Sequence, residues 1–475
     1  MNYSEFLGMG AELSLVVLII LLFLYDTFAP SKCGKYLPAT AIILLTLQTL
    51  FICFGENTGK MLFGGMYISV GMTVVAKVVL NIGTILVFIQ SVPWLKDDDV
   101  KIRRGEYYIL SLITLLGMYI MMSSQNFLLF FLGLETASLP MTVLVAFEKY
   151  RKNSYEAATK YLFYAIFSSA LMLLGLSYIY GAGGTLYYDM LCLTMQISPM
   201  MIVGLVLFIA GMGFKLSLVP FHLWTADVYQ GAPTTVTAYL SVISKGAAAF
   251  ALMVALVTVF YPLQEIWSWT LYAIIILTIT IGNLFAIRQQ NIKRFLAFSS
   301  ISQAGYIMLG IMSANAYGAT SLLYYILIYI FSNIAAFTVA GVIERKSGKL
   351  CIDDYNGLYK TNPKLSVVMM LAMFSLGGIP PFAGFFSKFF IFYAAVGEGY
   401  YVLVLIALLN TIISLYYYLL VVKAMFLKDN DNPIAPIRSD NYTRTALVLT
   451  VAGVILIGLV SAIYDSIFDV VSLAF

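Results

Sequence analysis

Apolar stretches long enough to cross a bilayer follow one another along the whole chain, separated mostly by short polar segments. A membrane span needs about 20 mostly apolar residues, and fourteen runs approach or exceed that length. They lie at 11–28, 36–54, 66–91, 106–123, 126–147, 155–180, 199–222, 234–260, 267–287, 296–313, 316–343, 364–396, 399–427 and 443–471. The first lacks a basic leader and a small-residue cleavage site followed by a soluble domain, so it is read as a retained span. No segment has the composition of a soluble domain or a linker, and the pattern predicts an all-α integral membrane protein of about fourteen transmembrane helices.

Composition sharpens this picture by exclusion. Of 475 residues, 61% are hydrophobic and 11% charged, with a mean hydropathy of +0.92, more apolar surface than a soluble domain of this size could hide. A formal charge of +4 is too small for a nucleic-acid surface. The cysteines, Cys33, Cys53, Cys192 and Cys351, form no C-x-x-C pair, which argues against an iron–sulfur or zinc site. His222 is the sole histidine, so the chain holds no bis-histidine haem.

Charge in the loops gives the expected orientation. Loops after odd-numbered spans carry Lys32 and Lys35, Lys96 to Arg104, Lys149 to Lys152, Arg288 to Arg294, Arg345 to Lys364, and Lys428 to Arg444, whereas loops after even-numbered spans offer only Lys60. Lysines and arginines in short loops stay in the cytoplasm. Both termini are therefore expected outside, in a multi-pass membrane protein.

Charges left inside the spans are the informative ones. Lys77, Lys160, Lys215, Lys245 and Lys388 fall in spans three, six, seven, eight and twelve, and Glu135 in LGLETASLP lies mid-span. Ionisable groups at membrane depth are costly and face a protein interior or a wet cavity. The alternative, a lysine that snorkels or locks two helices, fits Lys77 and Lys160 as well as a functional role does.

Two helix breaks accompany these lysines. In GFKLSLVPFHLW, Pro220 cannot donate to the Leu216 carbonyl. In SLGGIPPFAGFFSKFF, Pro380 and Pro381 free the carbonyls of Leu376 and Gly377. Such groups are tolerated where they meet other protein groups or line a hydrated cavity. Pro220-Phe221 and Pro381-Phe382 are 161 residues apart, as are Glu106 and Trp267 at the starts of spans four and nine. This offset predicts two five-span repeats, spans four to eight and nine to thirteen, each with one broken helix. Five is odd, so the second copy is inverted in the membrane. The expected organisation is one transmembrane domain over 1–475: spans one to three at 1–105, the repeats at 106–260 and 267–427, and a last span at 443–471.

The stretch GFKLSLVPFHLWTADVYQGAPTTVTAYLSVISKGAAAF, with LGLETASLP, AATKYLFYAIFSS, RFLAFSSISQAGY and GGIPPFAGFFSKFFIF, resembles the subunit N family of bacterial NADH-quinone oxidoreductase, the respiratory complex I. The resemblance covers essentially the whole chain, in order. It implies an antiporter-like fold in the inner (plasma) membrane of a bacterium and a proton relay of Glu135 and Lys215 at the start of a half-channel, Lys245 at its centre and Lys388 near the outside, with Lys160 and His222 auxiliary. Two positions depart from the family pattern. Ala226 replaces a proline and is expected to soften a loop, and Gln303 stands where many relatives have histidine, which counts against a titrating group there.

The chemistry fits independently. A lysine taken out of water loses basicity and a nearby carboxylate restores it, so moving or hydrating the partner switches the lysine between holding and releasing a proton. Moving one proton against 100 mV costs about 2.3 kcal/mol, and the sequence has no nucleotide loop or redox motif to supply it. The resemblance implies that NADH oxidation and quinone reduction elsewhere in the complex supply it, with NADH, FMN, iron–sulfur clusters and quinone bound by other subunits. It also implies subunit M on one flank and subunits K and J on the other, in membrane lipid. Subunit M and cation/proton antiporter subunits share the fold, but typically have D-A-H-x-E-A-P where this chain has DVYQGAP, and subunit M typically has glutamate at Lys388. A stand-alone secondary transporter and a structural scaffold are alternatives of other classes, and neither accounts for both the paired breaks and the lysine row.

Overall fold

The computed structural model describes residues 4–28, 33–55 and 59–475; Lys32 lies outside it, as does the side chain of Cys33. Thirteen helices in it are long and apolar enough to cross a membrane. A further span is made of two shorter helices, Pro363–Gly377 and Ala383–Gly397. The order is Gly10–Phe28, Leu37–Phe54 and Gly71–Ser91 for spans one to three, then Arg104–Met122, Phe127–Val145 and Lys152–Gly183 for four to six. Span seven is Pro199–Leu216 with a short second helix, Leu223–Gly231, and span eight is Thr234–Thr258. Gln264–Ile287, Ile292–Met312 and Ala316–Ser347 are spans nine to eleven. Tyr401–Leu427 and Asn441–Leu459 follow the split span twelve.

Three sequence-based boundaries change. Residues 66–70 belong to a small hairpin, Met61–Leu62 paired with Tyr67–Ile68, before span three begins. Span seven ends at Leu216 and not at 222, because Ser217 turns left-handed (φ 60°) and Leu218 N donates to Gly213 O at 2.8 Å. The run 443–471 divides after Leu459 into a span and an eleven-residue helix, Ala462–Ser472. That second helix carries Asp465 and Asp469 on a strongly amphipathic pattern, which suits a membrane surface better than its interior.

The two repeats coincide in detail. At span seven the reversed turn runs from Gly213 to Leu218. At span twelve Ile379 N donates to Phe374 O at 3.0 Å and Gly378 takes the left-handed position (φ 85°), again 161 residues on. Both breaks hold a cis X-Pro bond, Val219–Pro220 and Pro380–Pro381. Spans six and eleven are both 32 residues long and end on left-handed glycines, Gly184 and Gly348. Residues 125–127 clasp 186–188 through Phe127 N to Leu186 O and Tyr188 N to Gln125 O. Residues 290–292 clasp 350–352 in the same way, through Ile292 N to Leu350 O and Ile352 N to Gln290 O. The first clasp joins loops that follow even-numbered spans and the second joins loops that follow odd-numbered ones, so equivalent structures lie on opposite faces, as an inverted repeat requires.

Loops after odd-numbered spans share one face, here called the basic face. Arg345 pairs with Asp97 at 2.6 Å, and Glu344 takes Lys293 and Arg151, each at 3.5 Å. Lys60 is exposed on the opposite face. Spans eight, ten and eleven are the most enclosed, and they hold the centre on which both repeats pack.

Candidate functional site

Lysines predicted for a relay occupy the centre of the fold. Lys215, Lys245 and Lys388 are 7%, 1% and 4% exposed. Each sits at an irregularity in its helix. Lys215 lies in the last turn before the span-seven break, where unpaired carbonyls and the helix dipole favour a cation. Lys245 follows a π-helical turn, Leu240–Ser244, inside span eight. Such turns recur at functional sites, and nothing in the apolar pattern of this span signals it. Lys388 stands in the second half of span twelve, and its Nζ donates to the carbonyls of Leu376 at 3.0 Å and Gly377 at 3.2 Å. These are the carbonyls that the proline pair was expected to free.

Glu135 and Lys215 are not bonded to each other. Ser169 Oγ donates to the Glu135 carboxylate, while Lys215 Nζ donates to the Tyr161 hydroxyl at 3.4 Å. Glu135 stays within electrostatic reach of Lys215. Around the break beyond Lys215, four buried polar atoms have no hydrogen-bond partner: Ser217 Oγ, His222 Nδ1, Thr225 Oγ1 and Tyr229 OH. Buried polar groups are ordinarily satisfied by protein or ordered water, which leaves these groups able to take up a further partner. Lys245 lies over the Tyr229 ring, 5.6 Å from its centre. The ring of His222 faces the Pro220 carbonyl, with Lys245 in electrostatic reach.

From Lys245 to Lys388 the polar groups are nearly continuous. Lys245 Nζ donates to Ser300 Oγ at 2.8 Å. The neighbouring Ser299 shares a hydrogen bond with Tyr418. Gln303 Nε2 donates to Tyr418 OH at 3.1 Å and to Leu376 O at 3.3 Å, and Leu376 O is the carbonyl that also binds Lys388. Gln303, where the sequence argued against a titrating group, is a fixed hydrogen-bonding hub, and the Tyr325 hydroxyl donates to its side-chain oxygen. Beside it a cavity of about 10 Å³, lined in part by Tyr329, Ser332, Ser375 and Lys388, is about the size of one water probe.

Lys160 falls outside this row. It is 37% exposed at the basic face, bound to Asp227 at 2.6 Å and Glu156 at 2.7 Å. Arg294 closes the other side of Asp227 at 2.6 Å. Burial alone would raise the Asp227 carboxyl, but the hydrogen bonds from Lys160 and Arg294 outweigh it and hold the group below the usual carboxylate range. A 32-residue helix is roughly 48 Å long, more than a bilayer core, so a lysine near its start reaches the interface. Ala226 is buried within the helix Leu223–Gly231, so the position is helical and not the soft loop expected. Lys77 forms a buried ion pair with Glu12 at 2.7 Å. Glu12 escaped notice because it stands in the first turn of span one, where an acid reads as a solvated end.

A central row of buried lysines between two inverted five-span repeats, each with a broken helix, defines the antiporter-like class of membrane proteins. Residues 124–414 match the family described as NADH:quinone oxidoreductase/Mrp antiporter, TM. The chain belongs to the NADH-quinone oxidoreductase subunit N family. It is 56% identical over 470 residues to NADH-quinone oxidoreductase subunit N of Phocaeicola vulgatus, covering 99% of each chain, and 52% identical over 473 residues to that of Azobacteroides pseudotrichonymphae, covering 98% of each. Among solved structures, a chain of respiratory complex I from Thermus thermophilus with bound aureothin aligns with a TM-score of 0.82 and 30% identity, over 96% of this chain and 99% of that one. A chain of the Mrp complex from Dietzia shares the fold at a TM-score of 0.82 and 19% identity, over 99% and 97%.

Proposed function

We propose that this chain is a proton-translocating subunit in the membrane arm of an NADH-quinone oxidoreductase. The single observation that carries the reading is the row from Lys215 to Lys388, which joins the two broken helices through otherwise apolar spans. Glu135 and Lys215 form the loading site. The unpartnered groups at the span-seven break hold water that passes the proton to Lys245. Ser300, Tyr418 and Gln303 then lead to Lys388, which releases it beyond the span-twelve break. Lys160 and His222 assist at the basic face, Lys160 as part of the Asp227 cluster.

Energy for this movement comes from electron transfer in other subunits, where NADH, FMN, iron–sulfur clusters and quinone are bound. On this reading, subunit M flanks the chain on one side and subunits K and J on the other. A tagged chain extracted in mild detergent is expected to bring quinone-reductase subunits with it. Recovery as a stand-alone, transport-active protein would favour the secondary-transporter reading instead.

Orientation follows the loop charges: the basic face is cytoplasmic and both termini are outside. A reporter fused after Phe475 is expected to be active only on the external side, and one inserted between Arg345 and Lys364 only in the cytoplasm. Opposite results at either place reject the orientation.

A further inference from the structure

A second polar row crosses the molecule, and the lysine relay does not use it. Near the face opposite the basic one, Lys77 and Glu12 pair at 2.7 Å with side-chain exposures of 0% and 4%. The Tyr67 hydroxyl, on the external hairpin, donates to the other Glu12 oxygen at 2.7 Å and lies 3.4 Å from Lys77 Nζ. Lys77 also sits over the Tyr119 ring, 5.4 Å from its centre, and the Tyr119 hydroxyl donates to Asn81. Asn81 in turn donates to Gln48 at 2.7 Å and to Thr49 at 3.0 Å.

Positions 77, 81, 84 and 91 of span three are Lys, Asn, Thr and Ser, spaced to fall on one helical face. Beyond Thr84 the row continues on span eight. Tyr239 faces Thr84, accepts from Thr114 Oγ1 at 3.0 Å and donates to Ser111 O at 3.0 Å. Next comes Tyr107, near Ser91, Ser111 and Thr235. The hydroxyls of Tyr107 and Thr235 and the Gln90 side-chain oxygen are buried without partners. Gln90 and Thr235 line a cavity of about 310 Å³ on the basic face, with Glu148, Arg151, Glu344 and Arg345 at its wall.

A helix lock would need the ion pair alone. It would not need polar groups from one face to the other, ending in unpartnered hydroxyls beside a cavity large enough for several waters. We propose that this row is a second proton route, through spans one, three, four and eight, and that Glu12–Lys77 is the site where it holds and passes the proton. The step moves one proton and no electrons. The Lys77 ammonium gives its proton to the Glu12 carboxylate, the resulting acid releases it beneath the hairpin, and the Lys77 amine is reloaded from the Asn81 side. The proposal rests on the reading of the chain as a proton translocator.

The test is proton release per NADH oxidised, in vesicles whose complex is confirmed as assembled. Replacing both partners, Glu12→Gln with Lys77→Met, removes the pair without leaving an uncompensated buried charge. The expected result is the loss of one proton per NADH relative to the unaltered complex, together with loss of a carboxyl infrared band in redox difference spectra. Tyr239→Phe keeps the ring but removes the hydroxyl between Thr114 and Ser111, and it carries the test if the double variant does not assemble. An unchanged ratio in an assembled variant overturns the proposal. Lys215→Ala measured in parallel separates the two readings: if it lowers the ratio and these variants do not, only the second route is lost.

Discussion

Lys215→Ala is expected to lower the rate of coupled quinone reduction and proton pumping about tenfold or more while the complex still assembles. The structure makes the separation of the two effects possible. Lys215 is 7% exposed and its one polar contact is a long hydrogen bond of 3.4 Å to Tyr161, so its removal takes away a costly buried charge and little that holds the helix. Lys215 is the ammonium between the surroundings of Glu135 and the span-seven break, and a tenfold loss of rate corresponds to only about 1.4 kcal/mol in the barrier. Lys215→Arg is expected not to restore pumping, because a guanidinium stays protonated and cannot release its proton on cue. His222→Gln should cost less, since its ring also faces the Pro220 carbonyl and Ser217, Thr225 and Tyr229 remain at the break. Pro220→Ala should also cost less than Lys215→Ala, because the stop at Ser217 is set by the left-handed turn and survives the change. Pumping at the normal rate and ratio in Lys215→Ala would make this lysine structural.

Gly117→Val is expected to abolish assembly of the protein into membranes. Spans four and five cross at backbone contact: a Cβ on Gly117 would strike Ala137 N, and it would stand 2.6 Å from Gly133 O. Both neighbours are backbone, so relief requires the helices to separate, and membrane helices depend on such small-residue crossings for their packing. Overpacking of this kind typically costs about 1–3 kcal/mol or more, on a contact that positions the helix bearing Glu135. The second repeat uses the same device 165 residues on, where a Cβ on Gly282 would stand 2.8 Å from Ser302 N. Gly397→Ala is the control, because nothing lies within 4 Å of a Cβ there. The measurement is the amount of each variant chain in membranes by immunoblot, and a Gly117→Val level equal to that of Gly397→Ala refutes the argument.

The apolar runs and three prolines, Pro220, Pro380 and Pro381, were enough to locate fourteen spans, both breaks and the inverted repeat, because bilayer thickness and backbone hydrogen bonding leave few alternatives to an uninterrupted helix. Intramembrane charge was equally legible for Lys215, Lys245, Lys388 and Glu135, since each stands alone against an apolar background. The sequence could not tell a lysine that reaches an interface from one that is enclosed. Lys160 and Lys77 read alike there, yet one is 37% exposed in a surface cluster and the other is fully buried. That difference depends on how far each helix extends beyond the bilayer and on what packs against it. Glu12, Asp227 and the π turn before Lys245 were missed for a related reason: their meaning comes from partners 65 or more residues away, or from a backbone shift that leaves no mark on hydrophobic periodicity. Local physics fixed where the helices run and where they break. Only tertiary packing decided which polar groups meet, because hydrogen bonds such as Gln303 to Tyr418 or Lys388 to the Leu376 carbonyl exist only once separate helices are held side by side.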